Sequence, residues 1–141
     1  MVDGIVRALR ERVGEAPRLV VVLGSGLGPL AARVGDPVKV SYSDLGLPQP
    51  KVQGHAGELI VGDLGGARVG LLCGRVHLYE GWHPWEVVRG VRAMHAWGVG
   101  VMLLTASVGS IHVELGPGNL VGVSDFVSFQ AASPLVGPPW A

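Results

Sequence analysis

The residues of this chain best suited to chemistry lie in one octapeptide, residues 74–81 (GRVHLYEG), directly after the apolar run 69–73. The apolar run predicts a buried strand. Because alternate residues of a strand share a face, Arg75, His77 and Tyr79 are expected to point the same way. A guanidinium, an imidazole and a phenol on one face make a site for an anion and a hydroxylated ligand. A solvated strand end with an ion pair to Glu80 is an equally good interpretation of the octapeptide alone.

A glycine-rich turn at residues 24–28 (GSGLG) is the second candidate for ligand binding. It lies between the apolar run 19–23 and Pro29, which suits the first turn of a helix. Glycines let an anion approach backbone N–H groups, and the Ser25 hydroxyl can donate directly. The dinucleotide fingerprint fails because Pro29 stands where its third glycine belongs, and the Gly-Lys-Ser/Thr of a P-loop is missing from the sequence. A tight strand-to-helix turn without a ligand remains nearly as good an interpretation.

Two further polar segments are weaker candidates. Residues 54–57 (GHAG) hold His55 between glycines, and residues 105–110 (TASVGS) follow a second apolar run and include Ser107. Hydroxyls at the carboxyl end of a strand suit the rim of a ligand site, although each segment alone is more typical of a polar loop. The other histidines have no metal-like spacing, so we predict no metal site.

The elements that hold these segments alternate between helix and strand, which predicts an α/β fold. Helices are predicted after Asp3 up to Gly14, from Pro29 to Gly35, and from Pro84 to Gly98. Gly65-Gly66 predicts a two-residue hairpin. Residues 36–57 and the proline-containing tail, 133–141, are expected to be irregular. Strands are predicted over 19–23, 58–64, 67–73, 101–105 and, weakened by Gly122, 119–129.

The composition indicates one folded domain over residues 1–141, because 48% of the residues are apolar and only 16% are charged. A mean hydropathy of +0.42 predicts a homo-oligomer or a partner chain that covers apolar surface. Eleven basic and eleven acidic residues without charge blocks predict no nucleic-acid or membrane partner. The sequence contains no run long and apolar enough for a transmembrane helix. The single Cys73 and the charged N-terminus favour a cytoplasmic location.

The motifs in order, 23–28 (LGSGLG), 54–57, 74–81 and 133–138 (SPLVGP), resemble the trimeric purine nucleoside phosphorylase family, which includes the methylthioadenosine phosphorylases. The resemblance covers about residues 18–138. It implies the N-terminal half of a nucleoside-phosphorylase-type fold, with a mixed, mostly parallel sheet flanked by helices. It also implies phosphorolysis of a purine nucleoside to the base and ribose 1-phosphate, with inorganic phosphate as co-substrate and no cofactor.

The resemblance assigns roles to the candidate residues. His77 is implied as the catalytic histidine beside the phosphate and the sugar, and Tyr79 as a ribose contact. Glu80 is implied to brace the loop. The implied phosphate-binding residues are Ser25, His55, Arg75 and Ser107.

Two departures from the family pattern bear on activity. The family typically has Thr-Asn-Ala-Ala-Gly-Gly where this chain has Thr105 followed by Ala106 and Ser107. The sequence also stops near the middle of a full-length member, before the residues that hold the base. We therefore expect a weak or inactive isolated chain that needs a homo-oligomer or a complementary C-terminal-half chain. The alternatives are a non-catalytic, phosphate-binding oligomeric relic and, less favoured, a dinucleotide-binding fragment.

Overall fold

The structure, a computed structural model, describes residues 2–51, 54 and 56–136. Its centre is a five-stranded sheet with the order β2-β3-β4-β1-β5. The strands are β1 (Leu19–Leu23), β2 (Gly35–Ser41), β3 (Glu58–Leu64), β4 (Ala67–Cys73) and β5 (Val101–Leu104). β1 pairs in parallel with β4 and β5, whereas β3 pairs antiparallel with β2 and β4. The sheet is thus mixed, as expected, with two parallel and two antiparallel pairs.

Alternate residues of the central strands bury two separate faces of the sheet. One face, with Val20 and Val22 of β1 and Leu72 of β4, packs against two helices, α1 (Asp3–Arg12) and α3 (Arg89–Trp97). The other face, with Leu71 of β4 among its members, is covered by the 3-10 helix Gly28–Arg33 and by Val34. Because these strands are buried on both faces, their sequences are continuous apolar runs without polar alternation.

The hairpin between β3 and β4 forms where Gly65-Gly66 predicts it. Leu64 pairs with Ala67, and both glycines have positive φ, 67° and 81°. Two successive residues with positive φ are the requirement of a type I′ turn, whose twist matches that of the flanking strands.

Three parts of the predicted secondary structure were wrong. Residues 35–41 form a strand, because β2 is an outer strand whose register shifts between Gly35 and Val38, and such a position tolerates Pro37. The helix predicted from Pro84 divides into α2 (Pro84–Val87) and α3, with Val88 between them at φ −90° and ψ 0°. Residues 119–129 form no strand.

Candidate functional site

The candidate site lies where three parallel strands end. β1, β4 and β5 run in one direction, with Leu23 opposite Cys73 and Val22 opposite Leu104. Their carboxyl ends therefore meet at one edge of the sheet. The three predicted ligand segments begin there, at Gly24, Gly74 and Thr105.

The Thr105 hydroxyl joins the first and third segments. It donates to the Val22 carbonyl at 2.8 Å and accepts the Gly24 backbone N–H at 2.8 Å. The two backbones approach so closely that a Cβ on Gly24 would lie 2.6 Å from the Thr105 carbonyl oxygen. Residue 24 must therefore be glycine for the loop to dock against the end of β5.

Arg75 joins the second segment to the third. Its Nη1 donates to the Thr105 carbonyl at 2.6 Å, which holds the half-buried guanidinium against the strand ends. The Ser107 hydroxyl donates to the Ser25 carbonyl at 3.0 Å. The structure thus brings Ser25, Arg75 and Ser107 into one hydrogen-bonded assembly around Thr105.

The loop that carries Ser25 is a tight turn open to solvent. The Leu27 N–H donates to the Gly24 carbonyl at 3.2 Å, and Gly26 has φ 87°. Ser25 is exposed. The helix expected after Pro29 is a six-residue 3-10 helix, Gly28–Arg33, rather than an α-helix. The loop therefore presents the exposed Ser25 to solvent and leads into a short 3-10 helix, rather than into a long helix with a macrodipole.

His77 and Tyr79 form a second group, beyond the end of β4. They do not continue the strand, because β4 ends at Cys73 and residues 78–80 form a 3-10 turn. The expectation that Arg75, His77 and Tyr79 share one face of a strand was therefore wrong. The imidazole and the phenol ring instead stack, with centroids 4.8 Å apart and planes 11° from parallel. Tyr79 is 76% exposed and presents the outer face of this stack.

Glu80 fixes the backbone of this second group. Its carboxylate accepts the His77 N–H at 2.7 Å through Oε1 and the Lys51 N–H at 2.7 Å through Oε2. Hydrogen bonds to an ionised acceptor are stronger than neutral ones. The carboxylate thus ties the octapeptide to the chain just before the 54–57 motif.

A small cleft of about 50 Å³ adjoins Arg75. Its lining includes Tyr42, Gly74, Glu86 and Val91. Pockets that hold drug-sized ligands are about 300–1,000 Å³, so this cleft is too small for a purine nucleoside. A wider depression of about 490 Å³ lies on α1, among Asp3, Arg7, Arg10 and Glu11, and includes none of the strand-end residues.

The structure bears on three remaining predictions only over its described residues. His55 lies outside the described residues, although the flanking Gly54 and Gly57 are within them. Over the described ranges, no group of three or more His, Cys, Asp or Glu side chains could hold a metal ion. No helix in the same ranges is long and apolar enough to cross a membrane.

Sequence reasoning missed two residues of this edge. Thr105 was included in the candidate segment 105–110 but was given no role of its own, and its hydroxyl gains one because β5 lies beside β1. Tyr42 falls in a stretch expected to be irregular, yet its hydroxyl donates to the Gly74 carbonyl at 2.6 Å. A lone tyrosine among prolines and glycines gives no periodic signal that would have identified it.

The thiol at the end of β4 is buried and weakly acidic. Burial, and secondly the negative charge of Glu58, raise the pKa of Cys73 to about 11, against a smaller opposing effect of Lys39. A neutral thiol at ordinary pH is a poor nucleophile and metal ligand. Cys73 therefore acts as a small apolar residue of the core.

Comparison with known proteins identifies the class of protein that has this sheet edge. Residues 18–140 match the model of the Phosphorylase superfamily. The chain is 39% identical over 142 residues to purine nucleoside phosphorylase 1 of Bacillus subtilis, covering 98% of this chain and 52% of that protein. It is 42% identical to the purine nucleoside phosphorylase of Mycobacterium tuberculosis, covering 94% of this chain and 50% of that protein.

Solved structures give the same result for the fold. The Schistosoma mansoni purine nucleoside phosphorylase in complex with acetate superposes with a TM-score of 0.74 at 32% identity, covering 82% of this chain and 43% of that one. The same organism's enzyme in complex with inosine gives a TM-score of 0.72 at 30% identity, with 82% and 40% covered. The chain therefore belongs to the phosphorylase superfamily, in its purine nucleoside phosphorylase family. It spans about half the length of the relatives it matches.

Proposed function

We propose that this chain carries the phosphate and ribose half of a purine nucleoside phosphorylase site. The observation that supports this most strongly is the assembly of Arg75, Thr105 and the Ser25 loop at one sheet edge. A guanidinium, exposed hydroxyls and backbone amides are the groups that bind a phosphate dianion. A structure of a purine nucleoside phosphorylase in complex with ribose 1-phosphate, with a TM-score of 0.74 to this chain, supports the ligand class.

The proposed reaction replaces one bond at the sugar C1′ carbon by another. The bond from C1′ to the purine nitrogen breaks, its electron pair leaves with the base, and the base takes up a proton. A phosphate oxygen forms the new bond to C1′. Because the sugar passes through an oxocarbenium-like state, the protein's main tasks are to place the phosphate and to stabilise the charges.

Individual residues have distinct parts in this proposal. Arg75, Ser25, Ser107 and His55 hold the phosphate, and Tyr79 packs against the ribose. His77 is the catalytic histidine, next to the phosphate and the sugar. Its stacking on Tyr79 fixes the position of the two rings relative to each other. The proposal requires no cofactor, and inorganic phosphate is the second substrate.

The base-binding half of the site is proposed to come from another polypeptide segment. The chain spans about half of its relatives, and the cleft beside Arg75 is too small for a nucleoside. In the described part of the chain β5 pairs with β1 alone, and Ile111 and Phe129 beyond it are 98% and 95% exposed. Exposed apolar surface of this kind is typical of an interface. We propose that the complementary half of the phosphorylase fold covers this exposed apolar surface. The alternative is that copies of this chain cover it by self-association into a homo-oligomer.

A non-catalytic, phosphate-binding member of the family is the second candidate. Ala106 favours it, because the family typically has asparagine at this position and an alanine side chain has no hydrogen-bonding group. In other enzymes, loss of one preorganised donor to a developing charge costs about 10²–10³-fold in rate. A chain with phosphate binding alone would retain the assembly around Thr105 and have no turnover. We also propose a cytoplasmic location, in keeping with the single, buried Cys73.

Phosphate binding is tested first, on the full chain by calorimetry with inorganic phosphate. We expect millimolar or tighter binding, and at least about tenfold weaker binding after Arg75→Ala, since a charge-assisted hydrogen bond contributes about 1.5–3 kcal/mol. Arg10→Ala removes the same charge from the exposed face of α1 and is the matched control. Absence of binding to the unaltered chain, or equal losses in the two variants, would refute the phosphate site.

Turnover is tested next, by release of hypoxanthine from inosine with and without phosphate. The chain is assayed alone and together with the half of the Bacillus subtilis relative that it does not match. Phosphate-dependent release that requires the added half and disappears with Arg75→Ala supports the catalytic proposal. Phosphate binding without turnover in either mixture would favour the non-catalytic member of the family.

A further inference from the structure

Tyr42 occupies a buried position next to the proposed phosphate site without lying in any of the recognised motifs. It directly follows β2 and is 5% exposed. Its hydroxyl donates to the Gly74 carbonyl at 2.6 Å, and the bond is buried. Gly74 is the residue at which the chain leaves β4 and turns toward Arg75.

The Tyr42 hydroxyl is held in its donor form. Burial, with smaller effects of Cys73 and Glu58, raises the pKa of Tyr42 well above its ordinary value of 10.0. The phenol therefore keeps its proton at neutral pH. A buried tyrosine usually has a partner for this proton, and here the partner is the Gly74 carbonyl.

The backbone of Tyr42 contacts a second motif. Its N–H donates to the Gly57 carbonyl at 2.7 Å, and the Gly57 N–H donates to the Cys73 carbonyl at 2.9 Å. Gly57 is the last residue of the 54–57 motif, which carries His55. One residue thus connects the segment that ends in Gly57 with the turn that begins at Gly74.

The turn at Gly74 depends on such support. Gly74 has φ 107°, a conformation that favours glycine, and its N–H donates back to the Leu72 carbonyl at 3.1 Å. A glycine has many other conformations available, so the direction of the next residue depends on contacts that hold the peptide. The hydroxyl bond holds the carbonyl of this peptide, and the Arg75 side chain follows directly from it.

We propose that Tyr42 is a positioning residue of the phosphate site, which fixes the Gly74 turn and through it the Arg75 guanidinium. The proposal rests on the proposed function, because it concerns the same phosphate site. Tyr42 itself contacts the motif backbones rather than the ligand. Its effect is transmitted by the Gly74 carbonyl and by the Gly57 bridge.

The test substitution is Tyr42→Phe, which removes the hydroxyl and keeps the ring in the core. We expect inorganic phosphate to bind about fivefold to tenfold more weakly, since a buried carbonyl loses its partner and the turn relaxes. The backbone amide resonances of Gly74 and Arg75 should shift as well. Ile5→Val, which trims the same core cluster from α1, is the control for a general loss of stability. Even if Ile5→Val lowers the melting temperature as much as Tyr42→Phe does, it should leave the phosphate affinity and the Gly74 and Arg75 resonances unchanged.

The outcomes separate the two proposals. Phosphate binding to the unaltered chain with equal binding to Tyr42→Phe would overturn the role of Tyr42 and leave the phosphate site in place. Equal weakening by Tyr42→Phe and Ile5→Val would also overturn it, because the effect would then follow stability alone. Failure of the unaltered chain to bind phosphate would overturn both proposals.

Discussion

Two apolar stretches with strand-like sequences differ completely in their structural setting. Strand β4 pairs with β3 on one side and β1 on the other, and its Leu71 is 0% exposed. Residues 119–129 form neither strand nor helix, and Leu120 is 99% exposed. The difference shows that an apolar, β-favouring sequence becomes a strand only where neighbouring strands satisfy its backbone and bury its side chains.

The same contrast separates the strand ends of the proposed site from the segment that follows Ser107. The proposed phosphate-binding groups lie at the ends of strands that are fixed by pairing and by two core clusters. In the segment after Ser107, the Pro134 carbonyl accepts a hydrogen bond from Arg92 Nη2 at 3.2 Å, and Ile111, Leu120 and Phe129 are almost fully exposed. The first region is held by strand pairing and core packing, whereas many apolar side chains of the second are exposed.

The largest expected effect compares leucine to alanine in the two stretches. Leu71→Ala should lower the free energy of unfolding by about 2–5 kcal/mol, because it removes buried groups and leaves a cavity. Leu120→Ala should change it by no more than about 0.5 kcal/mol. Urea unfolding of the purified chain measures both. A comparable loss at Leu120 would mean that residues 119–129 are already buried in solution, by self-association or otherwise.

A smaller effect is expected where the Ser25 loop docks on β5. Gly24→Ala should cost about 1–3 kcal/mol, because its Cβ would lie 2.6 Å from the Thr105 carbonyl oxygen and force the two backbones apart. Gly28→Ala is the matched control, since nothing lies within 4 Å of a Cβ there. Thermal unfolding of the two variants measures the difference. Equal stability would contradict the close approach of the first and third ligand segments.

The effect expected to be smallest at neutral pH is a dependence of stability on alkaline pH. Folding raises the pKa of Cys73 from 9.0 to about 11, so the folded state keeps a proton that the unfolded state loses. The associated stability is complete below pH 9 and is lost as the pH rises to about 11, in total on the order of 2 kcal/mol. Cys73→Ala should flatten the stability profile between these values. The raised pKa of Tyr42 adds a decline that begins above pH 10 and persists in the variant. A profile that is the same with and without the thiol would contradict the burial of Cys73.

Much of the local structure followed from the sequence. Continuous apolar runs predicted β1, β3 and β4, since strands buried on both faces have no polar alternation. Gly65-Gly66 predicted the hairpin, because two adjacent positive φ values restrict the choice of residues. The order of the motifs identified the family, which is also found by comparison of sequence and fold. The roles of the individual site residues stay predictions.

Only the tertiary structure decided which of these local features meet. β2 exists because β3 offers an edge that tolerates Pro37, and residues 119–129 remain unpaired although their sequence is more strand-like. Thr105 became part of the site because β5 lies beside β1, and Tyr42 because the chain after β2 folds back over the end of β4. Periodicity and turn chemistry act over a few residues and can be read from the sequence. Contacts such as that of Tyr42 with Gly74, 32 residues apart, depend on the packing of the whole sheet.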